Sequence, residues 1–397
     1  MPSKRLERWR IYELFGYPVS DGSEEARKTR ASGVCPFGGV PCDGGGNRYQ
    51  SFPTIAQNDE LFSFFEGVVA NGSTKKVPVG VCSLKTGNQR WVVCPRRLFT
   101  ITGGVSNPEM QNIQKIVFKN LGLLPGTKLG VWSEVKIKLR VSGTSVVAET
   151  GDEVEDGEGG DDEAQDQVFD YTFDYVLMPL GKVSLAEAAG MLGRSSKRLA
   201  TVLSKMGYTV CSEFVLDFPF GSPYILEVMT SSTSGGNKRK GTDMTSAFKK
   251  AMKEQGALEH EQTHEAPGIN YRQVWARMVS QLVAKSEIAL AWGGKAIWLV
   301  QGALMDYISA TTKIQANLMR AKELNEVNIL CLEYQAGSSI NSCSEEFPLY
   351  AGPIRLDGAP SPNEFASIIN VSFVPDIKLL YKTKIGKEQP IKIILIT

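Results

Sequence analysis

Hydrophobic and polar residues follow two different periodicities along the chain. Residues 106–122 and a longer segment at about 270–292 have the apolar spacing of amphipathic helices. Strand-like stretches are "GVWSEVKIKLRV", "QVFDYTFDYVLMPL", "YILEVM", "AIWLVQ", "VNILCLEYQ", "ASIINVSFV" and "IKIILIT". In the second of these, strict alternation places Phe173 and Tyr175 on one face and Asp174 on the other. Helices and strands are intermingled, which predicts a mixed α/β or α+β fold.

Residues 182–208 predict two short helices joined at Gly193. Ser184 and Glu187 have the spacing of a capping box at the start of the first helix. The pair has the pattern of a helix-turn-helix, whose second helix would offer Arg194 and Lys197 to a DNA groove. Helical hairpins also occur in proteins that do not bind DNA, so both interpretations stay open.

The net charge of +1 conceals an uneven distribution. Residues 151–166 carry nine of the 43 acidic residues and no Lys or Arg, which predicts a solvated loop. The rest of the chain then holds 34 acidic against 44 basic residues, an excess of ten that favours a polyanionic partner. The longest apolar run, 288–305, is broken by "GGK", and the first residues lack the apolar centre of a signal peptide. We therefore expect a cytoplasmic protein without a membrane segment.

Four of the seven cysteines, Cys35, Cys42, Cys82 and Cys94, lie in the first quarter of the chain among Gly and Pro residues. Structural disulfides are disfavoured in a cytoplasm, so the cluster indicates either a thiolate-bound metal or separate buried thiols. The remaining cysteines, Cys211, Cys331 and Cys343, adjoin apolar segments and are expected in the core.

The only two histidines form the literal motif His260-Glu-Gln-Thr-His264. On a helix this spacing binds zinc, but the surrounding "ALEHEQTHEAPG" is polar and is stopped by Pro267, so we expect a solvated loop. With so few histidines, Ser-His or Cys-His catalysis is not favoured.

Three acidic residues, Glu134, Asp174 and Glu227, each lie on a predicted strand with apolar neighbours. Carboxylates on adjacent strands repel one another unless a divalent cation neutralises them, and Mg²⁺ can activate water for phosphodiester hydrolysis. The pattern therefore predicts a metal-dependent nuclease. The alternative is that the three acids are unrelated and face solvent.

The segments "VCPF", "GVC", "WVVCP", "SEVKIKL", "YTFDYVL" and "ILEVMT", in this order, resemble the NotI-like family of type II restriction endonucleases over about residues 30 to 300. The resemblance implies a PD-(D/E)xK nuclease core joined to an N-terminal four-cysteine metal domain. We expect domains at 1–105 and 106–397, with the acidic loop 151–166 and the helical insertion 182–208 within the second. It further implies a Mg²⁺-dependent homodimer that cuts double-stranded, palindromic, GC-rich DNA, and iron at the four cysteines, with zinc as the alternative.

Residue by residue, the resemblance assigns the catalytic carboxylates to Glu134, Asp174 and Glu227. Asp217 is a rival for Asp174, because it lies ten residues before Glu227, a more usual interval. Met229 stands where the usual motif has lysine, and methionine carries neither charge nor a strong hydrogen-bonding group. The metal alone could activate the water, or Lys238 or Lys240 could supply the cation.

Further DNA-contact candidates are Arg96 and Arg97, beside Cys94, where a metal-braced turn would hold them rigid. The sequence thus predicts a type II restriction endonuclease. The alternative from another class is a sequence-specific DNA-binding regulator built on a catalytically inactive nuclease scaffold.

Overall fold

The computed structural model describes residues 8–44, 53–65, 70–71, 74–101, 107–142, 145–149, 167–312, 328–332, 334, 350–351 and 375–396. The acidic segment 151–166, the predicted strand "ASIINVSFV" and Cys343 lie outside these residues.

Helices and strands alternate along the described chain. The helices are α1 (Glu24–Ser32), α2 (Pro95–Leu98), α3 (Pro108–Asn120), α4 (Leu185–Leu192), α5 (Ser196–Lys205), α6 (Met244–Lys253), α7 (Tyr271–Ala291), α8 (Gly302–Thr312) and α9 (Ile377–Lys384). The strands are β1 (Arg10–Leu14), β2 (Tyr17–Pro18), β3 (Thr54–Ala56), β4 (Ala70–Asn71), β5 (Thr74–Lys76), β6 (Val81–Thr86), β7 (Gln89–Val92), β8 (Lys128–Ser142), β9 (Ser145–Glu149), β10 (Gln167–Ser184), β11 (Phe214–Pro219), β12 (Tyr224–Met229), β13 (Lys295–Gln301), β14 (Asn328–Leu332), β15 (Tyr350–Ala351) and β16 (Lys392–Leu395).

The main sheet has the strand order β15-β14-β13-β12-β10-β8-β16, with β9 and β11 paired to β8 and β10. Strands β12, β13 and β14 are parallel, whereas β10 is antiparallel to both β12 and β8. Helices α6 and α7 lie in the connection between the parallel strands β12 and β13, as parallel strands require a crossover. The predicted mixed α/β class is therefore confirmed.

Buried apolar side chains form three clusters around this sheet. We call them the N-terminal cluster (including Phe15, Phe248 and Trp298), the cysteine-side cluster (including Phe99, Ile113 and Leu226) and the hairpin cluster (including Leu199, Phe173 and Ile225). On β12, Ile225 belongs to the hairpin cluster and Leu226 to the cysteine-side cluster, so the two lie on opposite faces of the sheet.

A second sheet, ordered β2-β1-β6-β7, is built from the first hundred residues. Its apolar residues, such as Leu14 and Leu84, share the N-terminal cluster with Phe248 of α6 and Leu304 of α8. Residues from both sides of the expected domain boundary at 105/106 pack into this one cluster. The boundary itself stays a prediction.

The predicted alternation along β10 fails at Asp174. Phe173 belongs to the hairpin cluster, but Tyr175 packs against the cysteine-side cluster, on the other face of the sheet. The paired strand β8 changes face at the same level, and Glu134 there has a φ of 47°. A non-glycine residue in this left-handed region is strained. Phe15, Asp217 and Glu388 share the conformation, so the strain by itself does not single out Glu134.

The helical hairpin is formed as predicted. The Ser184 side chain accepts a hydrogen bond from the Glu187 backbone, the Glu187 side chain accepts one from the Ser184 backbone, and Gly193 ends α4 in the left-handed conformation.

None of the helices formed by the described residues combines the length and the apolar character needed to cross a bilayer.

The histidine motif is not helical. Residues 259–261 form a turn and the chain through 264 is irregular, which confirms the expected loop but not its expected solvation at Gln262 and His264. His264 is fully buried, however, with Nδ1 2.6 Å from a Glu254 carboxylate oxygen, while Nε2 accepts the Ile11 N–H at 2.9 Å. His264 therefore ties the loop to β1 and has no free nitrogen for a metal.

Arg97 lies inside the protein, and its prediction as a DNA contact is wrong. Its side chain is 1% exposed and forms hydrogen bonds to both carboxylate oxygens of Glu13 at 3.0 Å and to Glu109 at 3.1 Å. The hydroxyls of Ser83 and Tyr334 also donate to Glu13. This buried network joins β1, β6, α2 and α3.

Arg97→Met should lower the free energy of unfolding by about 3–5 kcal/mol, because it leaves the buried Glu13 carboxylate without its cation. The adjacent Arg96→Met is the matched control. Arg96 pairs with Asp43 at a partly exposed position, so its loss should cost less than about 1 kcal/mol. Urea unfolding of both variants measures the difference, and equal losses would contradict a buried structural role for Arg97.

Candidate active site

The candidate site is centred on Glu227 in β12. Alternation along this strand points Glu227 toward α7, on the face opposite Leu226 and Val228. The carboxylate is 1% exposed. Its Oε2 accepts a hydrogen bond from Nζ of Lys285 on α7, whereas Oε1 is buried without a hydrogen-bond partner. A buried carboxylate oxygen in this state is uncommon and calls for a ligand or another cation.

Asp174 lies beside Glu227 because β10 and β12 separate at this point. Their backbone pairing ends at Tyr175 and Leu226. One step further, Oδ2 of Asp174 accepts the Val228 N–H at 2.8 Å, where a backbone carbonyl of a continuing ladder would otherwise be expected. The side chain thus caps the open end of the ladder and brings a second carboxylate to Glu227.

Glu134 occupies the position on β8 opposite Asp174, since the register pairs Phe173 with Val135 and Tyr175 with Ser133. Its side chain is exposed. Burial lowers the pKa of Lys384 on α9, and the nearby Glu134 carboxylate opposes this shift. Among the residues with described positions, no three His, Cys, Asp or Glu side chains are grouped to hold a metal. The structure therefore brings Asp174 and Glu227 together, and a role for Glu134 as third ligand stays a prediction.

Asp217, the rival of Asp174, lies elsewhere. It is on β11, which pairs with β10 only from Leu180 onwards, and its carboxylate is 3.0 Å from Nζ of Lys128 at a half-exposed position. This placement favours Asp174 as the partner of Glu227.

Lys285 is a site residue that sequence reasoning missed. Its ammonium group is buried, in contact with Glu227, and lies 5.8 and 5.9 Å from the ring centres of Phe173 and Trp298. The lysine stands 58 positions after the glutamate. The sequence gives one indication of this pairing: a lysine on the amphipathic segment 270–292 must face either solvent or a buried acid.

Burial raises the pKa of Glu227 from its ordinary value of 4.5 to about 8. Lys285 opposes this effect, the negative charge of Asp174 adds to it, and the Asp174 backbone N–H, which faces the carboxyl group, opposes it. Desolvation dominates because a carboxylate between apolar clusters loses its hydration. Additional positive charge near Glu227 would therefore stabilise its ionised form.

The four clustered cysteines are brought close together from two turns. Cys35 and Cys42 lie at the ends of a turn closed by the Cys35 N–H to Val40 and the Cys42 N–H to Gly33 hydrogen bonds. Cys82 on β6 and Cys94, just after β7, are adjacent because the Cys94 N–H donates to the Cys82 carbonyl at 3.3 Å.

Burial, together with the neighbouring Cys42 and Cys35, raises the pKa of the Cys94 thiol to about 12. Backbone N–H groups of Phe37 and Gly38 face Cys35, and those of Arg96 and Arg97 face Cys94. Four soft sulfur donors with N–H groups directed at them suit iron or zinc. No metal-site geometry is formed by the described side chains, so the metal stays a prediction.

The other two described cysteines differ in exposure. Cys331 is buried as expected, but Cys211 is exposed, because it precedes β11 in a surface turn. The prediction of a core position for Cys211 is therefore wrong.

The basic DNA-contact candidates have different environments. Lys238 and Lys240 are exposed on a short 3₁₀ turn between β12 and α6, and Lys197 is exposed on α5. Arg194 donates to the Gly386 carbonyl at 2.7 Å, and Arg96 is paired with Asp43 at 2.9 Å. The cation that contacts Glu227 is Lys285, and a role for Lys238 or Lys240 in activating water stays a prediction.

A cavity of about 1060 Å³ opens on the N-terminal sheet, away from the carboxylate pair. Its lining includes Arg10, Lys85, Glu259 and His260. Lys85 is paired with Glu259 at 2.6 Å, so its charge is already satisfied there. Because neither Asp174 nor Glu227 lines this cavity, it is separate from the candidate active site.

No model of a known protein family matches the chain, and no curated protein matches its sequence.

Glu227→Gln should change how stability depends on pH in Mg²⁺-free buffer. A carboxyl group whose pKa is raised by folding binds its proton more tightly in the folded state, so stability falls as pH rises from about 4.5 to about 8. Between about pH 5 and 7.5 the wild type should lose on the order of 3 kcal/mol through this group, and the variant should not. Urea unfolding at several pH values measures this, with Asp217→Asn as the control that keeps the wild-type slope. Parallel curves for Glu227→Gln and wild type would contradict the desolvation argument.

Purified protein should contain about one iron or zinc ion per chain, as a closed four-thiolate site requires. Elemental analysis by mass spectrometry should find that Cys94→Ser and Cys35→Ser lose most of it, while the exposed Cys211→Ser retains it. Wild-type protein without either metal above trace level would refute the metal prediction.

Proposed function

We propose that the protein is a Mg²⁺-dependent type II restriction endonuclease that hydrolyses phosphodiester bonds of double-stranded DNA at a specific site. The observation that carries this proposal is the carboxylate pair of Asp174 and Glu227 at the point where β10 and β12 separate. The unpartnered Oε1 of Glu227 supports a cation at this position.

The donor set fits Mg²⁺. This ion is usually held by one or two carboxylates together with water and substrate phosphate, so a pair of acids is sufficient. Asp174 and Glu227 would hold the ion, with Glu134 as the further candidate on the neighbouring strand. When bound, Mg²⁺ would make water a stronger nucleophile and offset charge on the phosphodiester. The Val228 N–H meanwhile fixes the orientation of Asp174.

A basic surface turn, residues 238–240, lies in the loop between β12 and α6. Lys238, Arg239 and Lys240 are exposed there. The loop that carries them is anchored at its start, where the Ser231 N–H donates to Val92 at 3.0 Å and the Ser234 N–H to Gly268 at 2.7 Å. Exposed cations on an anchored loop suit a phosphate backbone, which supports DNA as the substrate.

The finer parts of the proposal follow the family resemblance. They are a homodimer, a palindromic and GC-rich recognition sequence, and products with a 5′-phosphate and a 3′-hydroxyl. A two-fold dimer presents the same surface to both halves of a palindrome, which links the oligomeric state to the symmetry of the site.

A second candidate function is a DNA-binding regulator on an inactive scaffold. Two observations favour it: Met229 stands at the usual lysine position, and one oxygen of Glu227 is already paired with Lys285. Both functions require DNA binding, and only the endonuclease requires the carboxylate pair for chemistry.

Asp174→Asn and Glu227→Ala should each reduce Mg²⁺-dependent DNA cleavage by at least about 100-fold, because each removes a carboxylate from the ion. Both should still bind DNA in Ca²⁺. Asp217→Asn is the matched control and should keep cleavage near the wild-type rate, since Asp217 is paired with Lys128 on a different strand.

The measurement is digestion of large, varied, unmethylated genomic DNA, followed by sequencing of the fragment ends. Discrete fragments from the wild type, lost in the two site variants, support the endonuclease. Wild-type protein that binds DNA specifically but cuts none of it supports the regulator instead.

A further inference from the structure

We propose that Lys285 of α7 replaces the lysine missing at Met229, by holding one oxygen of Glu227 in place and leaving the other for the metal ion. The inference rests on the proposed nuclease function, and it assigns Lys285 as a positioning residue that acts through Glu227. The side chain at position 229 and helix α7 lie on the same face of the sheet. A lysine on α7 can therefore provide the positive charge that a lysine at position 229 would provide.

The strand geometry supports this exchange. Glu227 and Met229 are two residues apart, so both side chains point to the α7 face, while Val228 between them packs into the cysteine-side cluster. Met229 packs against the N-terminal cluster and offers only a thioether. The charge next to Glu227 therefore comes from the helix above the strand.

The position of Lys285 is closely defined. Its side chain is 8% exposed. Nζ contacts Glu227 of β12 and lies 5.8 and 5.9 Å from the ring centres of Phe173 on β10 and Trp298 on β13. Contacts from three strands leave this long side chain little rotamer freedom. Ammonium groups near aromatic rings gain further attraction from the ring faces. Lys285 is thus preorganised in the absence of metal and substrate.

The two oxygens of Glu227 have different roles. Lys285 occupies Oε2, and Oε1 is buried without a partner. Asp174 is nearby, with its Oδ2 already engaged by the Val228 N–H. Asp174, Glu227 and Lys285 together carry one net negative charge when all are ionised, so the site still attracts a divalent cation after the lysine is in place.

A purely structural role for Lys285 and a positioning role lead to different expected results when the lysine is moved. If Lys285 serves only to neutralise a buried acid, moving the lysine to position 229 should not restore metal binding or catalysis. If Lys285 positions Glu227 for the metal, an amine on the same face of the sheet is sufficient, and a lysine at position 229 of β12 should restore part of the function.

The experiment compares Lys285→Met, Lys285→Arg and the double variant Lys285→Met/Met229→Lys, with the exposed Lys253→Met as the matched control. Two readouts are taken: Mn²⁺ binding by calorimetry, in the presence of uncleavable DNA, and the Mg²⁺ dependence of kcat and KM for DNA cleavage. Thermal unfolding and DNA binding in Ca²⁺ establish that each variant is folded.

We expect Lys285→Met to weaken Mn²⁺ binding and to lower kcat by about 10–100-fold, with little change in the KM for DNA. Lys285→Arg should retain part of both, and the double variant should recover at least about tenfold of the lost metal affinity. If Lys285→Met does not fold, the comparison of Lys285→Arg with the double variant still decides the question.

The inference is overturned if Lys285→Met binds Mn²⁺ like the wild type, or if the double variant is no better than the single one. Failure of the proposed function is a separate result: the wild type then cuts no DNA, while the Mn²⁺ series still reports whether Lys285 positions Glu227 for a cation.

Discussion

Burial of the Glu227 carboxylate is the constraint on which the candidate site depends. A carboxylate on the inner face of β12, at the junction of two apolar clusters, has lost most of its hydration, and this cost must be offset by charge or hydrogen bonds. Lys285 offsets part of it from α7. The remaining oxygen and the nearby Asp174 leave the site short of positive charge, which is the physical basis for the proposed divalent cation.

The separation of β10 from β12 makes this site possible. If the two strands stayed paired beyond Tyr175, backbone groups would fill the gap in which Asp174 now caps the Val228 N–H. The change of face at Asp174 and Glu134 occurs on two adjacent strands in register, so the distortion is shared by both strands. Strain of this kind persists only where surrounding packing enforces it, and the hairpin cluster lies directly against this region.

The N-terminal segment supports the ends of β12 and β13 through hydrogen bonds to Val92. Gln301 at the end of β13 accepts the Val92 N–H at 2.8 Å, and the Val92 carbonyl accepts the Ser231 N–H. Val92 is two residues from Cys94, so the cysteine turns, the buried Arg97 network and the loop after β12 are mechanically connected. A metal at the cysteines would therefore stiffen the base of the basic turn as well as its own surroundings.

Local patterns in the sequence determined most of the secondary structure, the capped helical hairpin, the clustering of four cysteines and the place of Glu227 in an apolar strand. Periodicity, capping residues and an acid between apolar neighbours are features of a few adjacent positions. Only the tertiary structure decided that Asp174 rather than Asp217 lies beside Glu227, that Arg97 is buried while Lys238 is exposed, and that the cation on Glu227 is Lys285. These outcomes depend on contacts between residues 50 or more positions apart, where strand divergence and helix packing select the partner. No local pattern encodes that selection, because the sheet brings such residues together only after the chain has folded.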